Sequence, residues 1–231
     1  MAEQVDYYNH FGEQNKSGIL SCPEPHLWTT DYEAKGRMYE EMKKRIKTQE
    51  ELIDKYFDKQ FPVLDVGCGF GRQAYLLAKK GFKIVGTDTS KVFIDIAGEL
   101  FQKHEYKGKF LCADIMKTSL DNSFRQILLL DVLEHVSPSQ RNTFIRRLHG
   151  LTVQRGVLIL SLPHVKKRLS SQINNRVRKA ITQHLSFFKN FEEHPYPIPQ
   201  KREIINLTSK YYIVTGFHES KESDYYIFEK R

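Results

Sequence analysis

One short stretch, residues 63 to 71, constrains the fold more than any other part of this chain. It reads VLDVGCGFG, a short apolar run followed by three alternating glycines, Gly67, Gly69 and Gly71. An amphipathic stretch begins directly afterwards at Arg72, which is either a substrate contact or a solvated helix residue. A strand, a glycine-rich loop and a helix in this order are typical of a nucleotide-cofactor site. Glycines suit such a loop because they let a ligand approach the backbone without meeting a Cβ atom.

The residues around the glycines indicate which kind of cofactor the loop binds. A dinucleotide fingerprint is G-x-G-x-x-G, which places a pyrophosphate on a helix N-terminus, whereas here the third glycine comes one residue early. No Gly-Lys-Ser/Thr follows, which excludes a phosphate-binding P-loop. Asp65, directly before the loop, would repel a pyrophosphate but suits a ligand with an ammonium group. S-adenosylmethionine (SAM) has an ammonium group, a sulfonium cation and no phosphate, so the pattern favours SAM.

Strand and helix signals alternate from residue 62 onward. Strands are expected at 62–66, 82–87, 109–113, 126–131, 156–162, 211–217 and 224–229, and helices at 71–80, 90–103 and 138–150. This alternation predicts a parallel sheet with helices on both faces. The last two strands are joined by a short polar link, which requires an antiparallel hairpin.

The N-terminal part of the chain precedes this alternation. Residues 1–30 are polar and aromatic, and we expect an irregular arm or a short helix there. Asp31 is a candidate N-cap for a helix that runs to about Phe57, with Met38 in its apolar stripe. We therefore expect an arm over residues 1–30 and a single domain over residues 31–231.

Acidic residues follow four successive strands at the point where each strand ends. Asp65 belongs to the first strand, Asp88 to the second, Asp114 to the third and Asp131 to the fourth. Ligands of open α/β sheets bind outside the carboxyl ends of the strands, so these side chains are expected to line one crevice. A carboxylate at the end of the second strand would accept both ribose hydroxyls, and one after the third would accept the exocyclic amine of an adenine.

With these features in order, the chain resembles the class I SAM-dependent methyltransferases. The resemblance covers residues 35 to 162 well and the remainder only in topology. It implies an α/β, Rossmann-like fold with a seven-stranded mixed sheet of order 3-2-1-4-5-7-6, in which strand 7 is antiparallel and helices cover both faces. The cofactor-binding residues that it implies are Asp65, Gly67, Cys68, Gly69, Gly71, Asp88, Thr89, Asp114, Ile115, Asp131 and Val132.

The segment DVLEHV after the fourth strand supplies the candidate catalytic residues. His135 is the first candidate for a base because an imidazole titrates near neutral pH, and Glu134 lies beside it. The alternative is that both residues cap or pack the turn. Asp131, Glu134 and His135 also have the i, i+3, i+4 spacing of a metal site, and they resemble the E-x-x-E-H motif of ubiquinone-biosynthesis O-methyltransferases. A divalent metal is the less favoured alternative, because Asp131 is one methylene shorter and would face the cofactor.

A basic insert at about 163–202 follows the fifth strand. Residues 166–202 carry nine basic and two acidic side chains, a net charge of +7. Apolar residues recur every four positions from Leu169 to Leu185, which predicts an amphipathic helix. Its basic side has three interpretations: the solvated face of a lid over the crevice, a surface that lies on an anionic membrane and admits a lipid-like substrate, or a contact for an anionic substrate such as RNA.

The acceptor of the methyl group is the least constrained part of the prediction. The candidate substrate residues are His164, His184, His194 and Tyr196, and the aromatic N-terminal arm, with Tyr8, would close the other side. The N/D-P-P-Y/F motif of amino-methylating enzymes does not follow the fourth strand, where DVLE stands instead. We therefore expect methyl transfer to a small-molecule or lipid-like acceptor at oxygen. The alternatives are an RNA-directed methyltransferase and a non-catalytic SAM-binding interaction protein.

Composition narrows the environment of the protein. Cys22, Cys68 and Cys112 are too few and too scattered for a disulfide framework or a zinc site, and the last two are expected to be buried packing residues. No apolar run approaches the roughly 20 residues that span a bilayer. The first residues lack the basic and apolar regions of a signal peptide, so we expect a cytoplasmic protein.

Overall fold

The computed structural model describes residues 2–120, 123–164 and 196–231. Within these ranges the chain forms one mixed sheet with helices packed against it. The predicted basic helix and the substrate candidates His184 and His194 lie outside the described residues.

The sheet has the predicted strand order. Its strands are β1 (Val63–Val66), β2 (Ile84–Asp88), β3 (Gly108–Cys112), β4 (Phe124–Leu130), β5 (Thr152–Pro163), β6 (Tyr212–Glu219) and β7 (Ser223–Lys230). They are arranged as β3-β2-β1-β4-β5-β7-β6. The first five strands pair in parallel, whereas β7 is antiparallel to both β5 and β6. The implied order and the antiparallel hairpin at the end of the chain are both confirmed.

The described helices are α1 (Ala2–Ser21), α2 (Arg37–Tyr56), α3 (Arg72–Lys79), α4 (Lys91–Lys103), α5 (Arg141–Leu151) and α6 (Lys201–Thr208). Most of the expected arm is therefore the regular helix α1, 20 residues long. This helix packs on α4, where the rings of Phe11 and Phe93 meet edge to face with centroids 6.3 Å apart. The sequence of α1 indicates a helix only weakly, because most of the stability of a helix in a protein comes from packing against other elements and not from its own residues.

Helix α2 begins later than expected. Asp31 lies six positions before the first helical residue, Arg37. Its carboxylate accepts hydrogen bonds from the backbone N–H groups of Met38 and Tyr39, each at 2.9 Å. The side chain therefore supplies the capping acceptors that the first turn of a helix lacks. The N-cap residue is Gly36, so the prediction of Asp31 as the N-cap and the predicted start of the helix are both wrong, although the Asp31 side chain does serve the first turn.

Two hydrophobic clusters lie on opposite faces of the sheet. Alternate residues of β4 divide between them: Ile127 and Leu129 pack with α5 and α6, whereas Leu128 packs with α2, α3 and α4. All three side chains are fully buried. A strand that is apolar on both faces is what a central parallel strand requires, and the helices on both faces confirm the predicted layer structure.

Two predictions of burial are wrong. Cys112 is exposed because it ends β3, which lies at the edge of the sheet. Met38 is 49% exposed because the first turn of α2 packs through its neighbour Tyr39, which is 6% exposed and clusters with Ile46. Cys68, which follows β1 at the centre of the sheet, is buried as expected.

Candidate functional site

The loop between β1 and α3 has the backbone conformation that its glycines predict. Gly67, Gly69 and Gly71 have φ angles of 72°, 53° and 87°, values that L-residues rarely adopt. A Cβ atom on Gly67 would lie only 2.4 Å from Cγ2 of Val132. The loop therefore comes close to the end of β4, and only glycine fits there.

Asp88 at the end of β2 holds this loop in place. Its carboxylate accepts hydrogen bonds from the backbone N–H groups of Gly69 and Ser90, both at 2.9 Å. Burial raises the pKa of Asp88, although the two N–H groups act in the opposite direction. A carboxylate oxygen can accept more than one hydrogen bond, so Asp88 can anchor the loop and still accept a ligand hydroxyl.

Asp65 lies deeper in the site. The residue is 3% exposed, and its Oδ2 atom has no hydrogen-bond partner among the described residues. Burial raises the pKa of Asp65 to about 7, and the negative charge of Asp88 adds to the effect. A buried carboxylate without a donor is costly, so this position favours a ligand that brings a donor or a positive charge.

Asp114, after β3, serves a structural purpose in addition to lining the crevice. Its Oδ1 atom accepts a hydrogen bond from the backbone N–H of Met116 at 2.9 Å. Its Oδ2 atom lies 3.3 Å from Nζ of the exposed Lys117. The carboxylate therefore fixes the turn that carries Ile115, which is 5% exposed, at the mouth of the crevice.

The end of β4 has unusual backbone geometry. Asp131 has a φ of 55°, a left-handed conformation that costs energy in a residue other than glycine. Its carboxylate accepts a hydrogen bond from the hydroxyl of Ser161 at 2.8 Å and contacts the guanidinium of Arg45 on α2. These contacts hold Asp131 directly after the end of β4.

Glu134 and His135 form a short 3-10 turn with Leu133. Glu134 is fully buried, whereas His135 is partly exposed. Nδ1 of His135 lies 3.4 Å from Nε2 of Gln4, and its ring meets the ring of Tyr8 edge-on. Among the described residues, no group of three or more His, Cys, Asp or Glu side chains could hold a metal ion. The Asp131 carboxylate is directed to Arg45 instead, so the metal alternative receives no support from this geometry.

Two adjoining cavities occupy the crevice. The larger, of about 540 Å³, is here called the Asp88 compartment and includes Asp88, Thr89, Ala113, Asp114, Ile115 and Met116 in its lining. The smaller, of about 410 Å³, is called the Asp65 compartment and includes Met42, Arg45, Gln49, Asp65, Cys68, Arg72, Gln73 and Glu134. Both are lined by Tyr8, Gly67, Gly69, Phe93, Asp131 and His135. Those six residues mark the junction between the compartments.

The N-terminal region contributes to this crevice. Gln4, Val5 and Tyr8 of α1 line the Asp88 compartment. Arg72 is not a solvated helix residue: its guanidinium donates hydrogen bonds to the backbone carbonyls of His26 and Trp28, at 2.9 and 2.8 Å. Burial lowers the pKa of Arg72 to about 9. The first residue after the glycine loop thus fastens the N-terminal region to the cofactor loop.

The structure places the other predicted site residues as follows. Val132 lines the Asp88 compartment, and Gly71 instead faces α4, where a Cβ atom would lie 3.0 Å from Cβ of Ala97. His164 lies just beyond β5, and its Nε2 atom is 2.8 Å from Oδ1 of Asp224. Tyr196 is partly buried. Neither His164 nor Tyr196 is among the described residues that line the two compartments.

Sequence reasoning missed three polar residues of the Asp65 compartment. Arg45 and Gln49 come from α2, and Gln73 comes from α3. Gln49 and Gln73 are only 4% and 7% exposed. Gln49 lies between Ile46 and Leu52 on the apolar side of α2, and a glutamine at such a position is the sequence signal that could have identified it.

Comparison with known proteins agrees with the geometry. A family model described as "Methyltransferase domain" matches residues 63–156. An uncharacterized protein of Methanocaldococcus jannaschii is 30% identical over 177 residues, which are 76% of this chain and 72% of that protein. The ubiquinone biosynthesis O-methyltransferase of Rickettsia prowazekii is 32% identical over 120 residues, 52% of this chain and 47% of that enzyme. The chain belongs to the class I SAM-dependent methyltransferases.

The fold of this methyltransferase also has a close counterpart among solved structures. The magnesium protoporphyrin IX methyltransferase of Synechocystis PCC 6803, crystallised with bound S-adenosylhomocysteine, superposes with a TM-score of 0.67. The match covers 98% of this chain and 97% of that one at 18% sequence identity, so it supports the fold alone. The chain spans about half the length of the Rickettsia relative. None of the described helices is both long and apolar enough to cross a membrane.

Proposed function

We propose that this methyltransferase transfers the methyl group of SAM to a hydroxyl oxygen of a small-molecule acceptor. One observation carries the proposal. The two compartments meet at His135. The Asp88 compartment contains Asp88 and Asp114, which suit a nucleoside, and the Asp65 compartment has both polar and apolar walls. The ubiquinone biosynthesis relatives are O-methyltransferases, which supports oxygen as the acceptor atom.

The Asp88 compartment suits the adenosine part of the cofactor. Asp88 would accept the ribose hydroxyls while it anchors the loop, and Asp114 with Ile115 would contact the adenine. The amino acid part would then extend past Gly67 into the Asp65 compartment, where Oδ2 of Asp65 has no hydrogen-bond donor among the described residues. When bound, the cofactor supplies an already activated methyl group on a sulfonium, so the protein has mainly to align the reactants and exclude water.

His135 would accept the proton of the acceptor hydroxyl. As the oxygen–carbon bond forms and the carbon–sulfur bond breaks, the hydroxyl proton must leave, and an imidazole at the junction is suited to receive it. Gln4 contacts Nδ1 of His135 at a long distance of 3.4 Å, a contact that an acceptor hydroxyl would replace. Glu134, fully buried next to His135 along the chain, would help to hold the turn that carries the imidazole.

The walls around His135 suggest what the acceptor looks like. Tyr8, Met42, Phe70 and Pro163 contribute aromatic and aliphatic surface to the Asp65 compartment, and the acceptor would occupy this part of it, beside the amino acid part of the cofactor. These side chains suit a flat, largely apolar molecule with a hydroxyl group. We therefore propose a small hydroxylated aromatic or similarly apolar compound as the acceptor class.

The test is a methyl-transfer assay with catechols and other hydroxylated aromatics, read out as S-adenosylhomocysteine formed. His135→Ala should lower kcat by about 10²- to 10⁴-fold, the usual contribution of a general base, and leave SAM affinity unchanged. His218→Ala, an exposed histidine of β6, is the matched control. Normal turnover by His135→Ala would refute its role as the base. Tight SAM binding without turnover of any hydroxylated compound would refute the acceptor class.

A further inference from the structure

Two buried acceptor atoms in the Asp65 compartment lack a donor. Oδ2 of Asp65 and Oε1 of Gln73 are both fully shielded from solvent, and neither has a hydrogen-bond partner among the described residues. The two residues are 3% and 7% exposed and line the same cavity. Buried polar atoms are nearly always hydrogen-bonded in folded proteins, so two unsatisfied acceptors in one cavity point to a ligand that brings at least two donors.

Gln73 is held in a defined orientation. Its Nε2 atom donates a hydrogen bond to Oε1 of Gln49, which is 4% exposed on the neighbouring helix α2. Because the N–H side of the amide is committed to Gln49, the oxygen is the atom that remains available to accept. A side chain fixed in this way can contribute to binding without losing further conformational freedom.

The charges around the two acceptors narrow the class of ligand. Asp65 favours a positive group. Arg45 and Arg72 line the same cavity; they already contact the Asp131 carboxylate and two backbone carbonyls, but a guanidinium has five N–H donors, and the remaining ones favour a negative group. A group with both charges is an amino acid zwitterion. Its ammonium has three N–H donors, enough for both unsatisfied oxygens.

We propose that Gln73, oriented by Gln49, is a second acceptor beside Asp65 for the α-ammonium group of the cofactor. This inference rests on the proposed function, since it takes SAM as the occupant of the crevice. Gln73 lies outside the glycine motif. Its carbonyl oxygen makes the site selective for cofactors with a free primary ammonium over nucleosides that lack the amino acid part.

The experiment compares two ligands on three variants. S-adenosylhomocysteine carries the amino acid part, and 5′-methylthioadenosine carries the same nucleoside and sulfur without it. Gln73→Met keeps the length of the side chain and removes the acceptor. It should weaken S-adenosylhomocysteine by about 10- to 100-fold, as expected for a hydrogen bond to a charged group, and leave 5′-methylthioadenosine unchanged. Gln73→Glu retains acceptor oxygens but loses the N–H group that is donated to Gln49, so it should restore part of the lost affinity. Gln102→Met, at an exposed position of α4, should change neither ligand.

The outcomes separate this inference from the proposed function. If the wild-type protein binds neither ligand, the proposed function is wrong. If it binds both and Gln73→Met lowers the two affinities equally or not at all, Gln73 does not bind the ammonium group and the inference is overturned. Thermal unfolding shows whether each variant is folded. Should Gln73→Met fail to fold, Gln73→Asn, which withdraws the oxygen by one methylene, should show the same selective loss, and an unchanged ratio of the two affinities would overturn the inference.

Discussion

Replacing Asp65 by asparagine should make the protein more stable at alkaline pH while it abolishes cofactor binding. The carboxyl is 3% exposed, and its pKa is raised to about 7, first by burial and then by Asp88. Its ordinary value is 3.8. Because one pKa unit corresponds to about 1.4 kcal/mol, ionising Asp65 inside the fold costs about 4 kcal/mol once the pH is above both values.

The direction of the pH dependence follows from proton binding. Between pH 3.8 and 7 the folded protein holds a proton on Asp65 that the unfolded chain has lost. The free energy of unfolding of the wild type therefore falls as the pH rises through this window. From the same two pKa values, Asp65→Asn should gain about 2–3 kcal/mol more at pH 8 than at pH 5.

The assay is urea unfolding of wild type and Asp65→Asn at pH 5 and pH 8, with calorimetric titration of S-adenosylhomocysteine at pH 8. Asp54→Asn, at an exposed position of α2, is the matched control and should change stability by less than about 1 kcal/mol at either pH. An equal effect of Asp65→Asn at both pH values would refute the buried, ionisable carboxyl. Retained affinity for S-adenosylhomocysteine would refute its role in binding. A gain in stability with a loss of binding is the trade-off expected of a functional site.

Three further predictions concern the loop, the ribose and the N-terminal region. Gly67→Ala should lower the free energy of unfolding by about 2–4 kcal/mol, because φ is positive there and the new Cβ atom would overlap with Val132. Gly81 also has a positive φ but has open space around it, so Gly81→Ala should lower the free energy of unfolding by only about 1–2 kcal/mol. Equal losses in the two variants would rule out the overlap with Val132. Asp88→Asn should weaken S-adenosylhomocysteine by about 1–3 kcal/mol in calorimetry, and unchanged affinity would contradict the ribose assignment. Burial lowers the pKa of His26 below its ordinary value of 6.5. The folded protein therefore favours neutral His26, and the stability that this contributes is lost on acidification. His26→Phe should therefore shrink the loss of stability between pH 7 and pH 5.5 in urea unfolding, and an identical loss would show that His26 does not titrate with unfolding.

The cofactor side of the site could be predicted because its signals are local. A strand, its terminal acid and the loop that follows are adjacent in sequence, so Asp65 and the three glycines could be recognised without knowledge of distant contacts. Parallel strands end at the same edge of the sheet, which brought Asp88 and Asp114 into the prediction. The hairpin at the end of the chain followed from the length of its link.

The rest depends on contacts between distant elements. Gln73 and Gln49 are 24 positions apart and meet only when α2 packs on α3. Arg72 bonds to carbonyls 44 and 46 positions earlier, and nothing in its neighbourhood of the sequence distinguishes it from a solvated helix residue. Cys112 was misjudged because a strand pattern does not reveal that β3 lies at the edge of the sheet.

The most direct test of this account is a crystal structure of the protein with S-adenosylhomocysteine. The account expects the amino nitrogen of the ligand within hydrogen-bond distance of Asp65 and Gln73, and the ribose hydroxyls on Asp88. A ligand bound in the opposite direction, with its nucleoside in the Asp65 compartment, or a crevice that stays empty at saturating ligand, would contradict it.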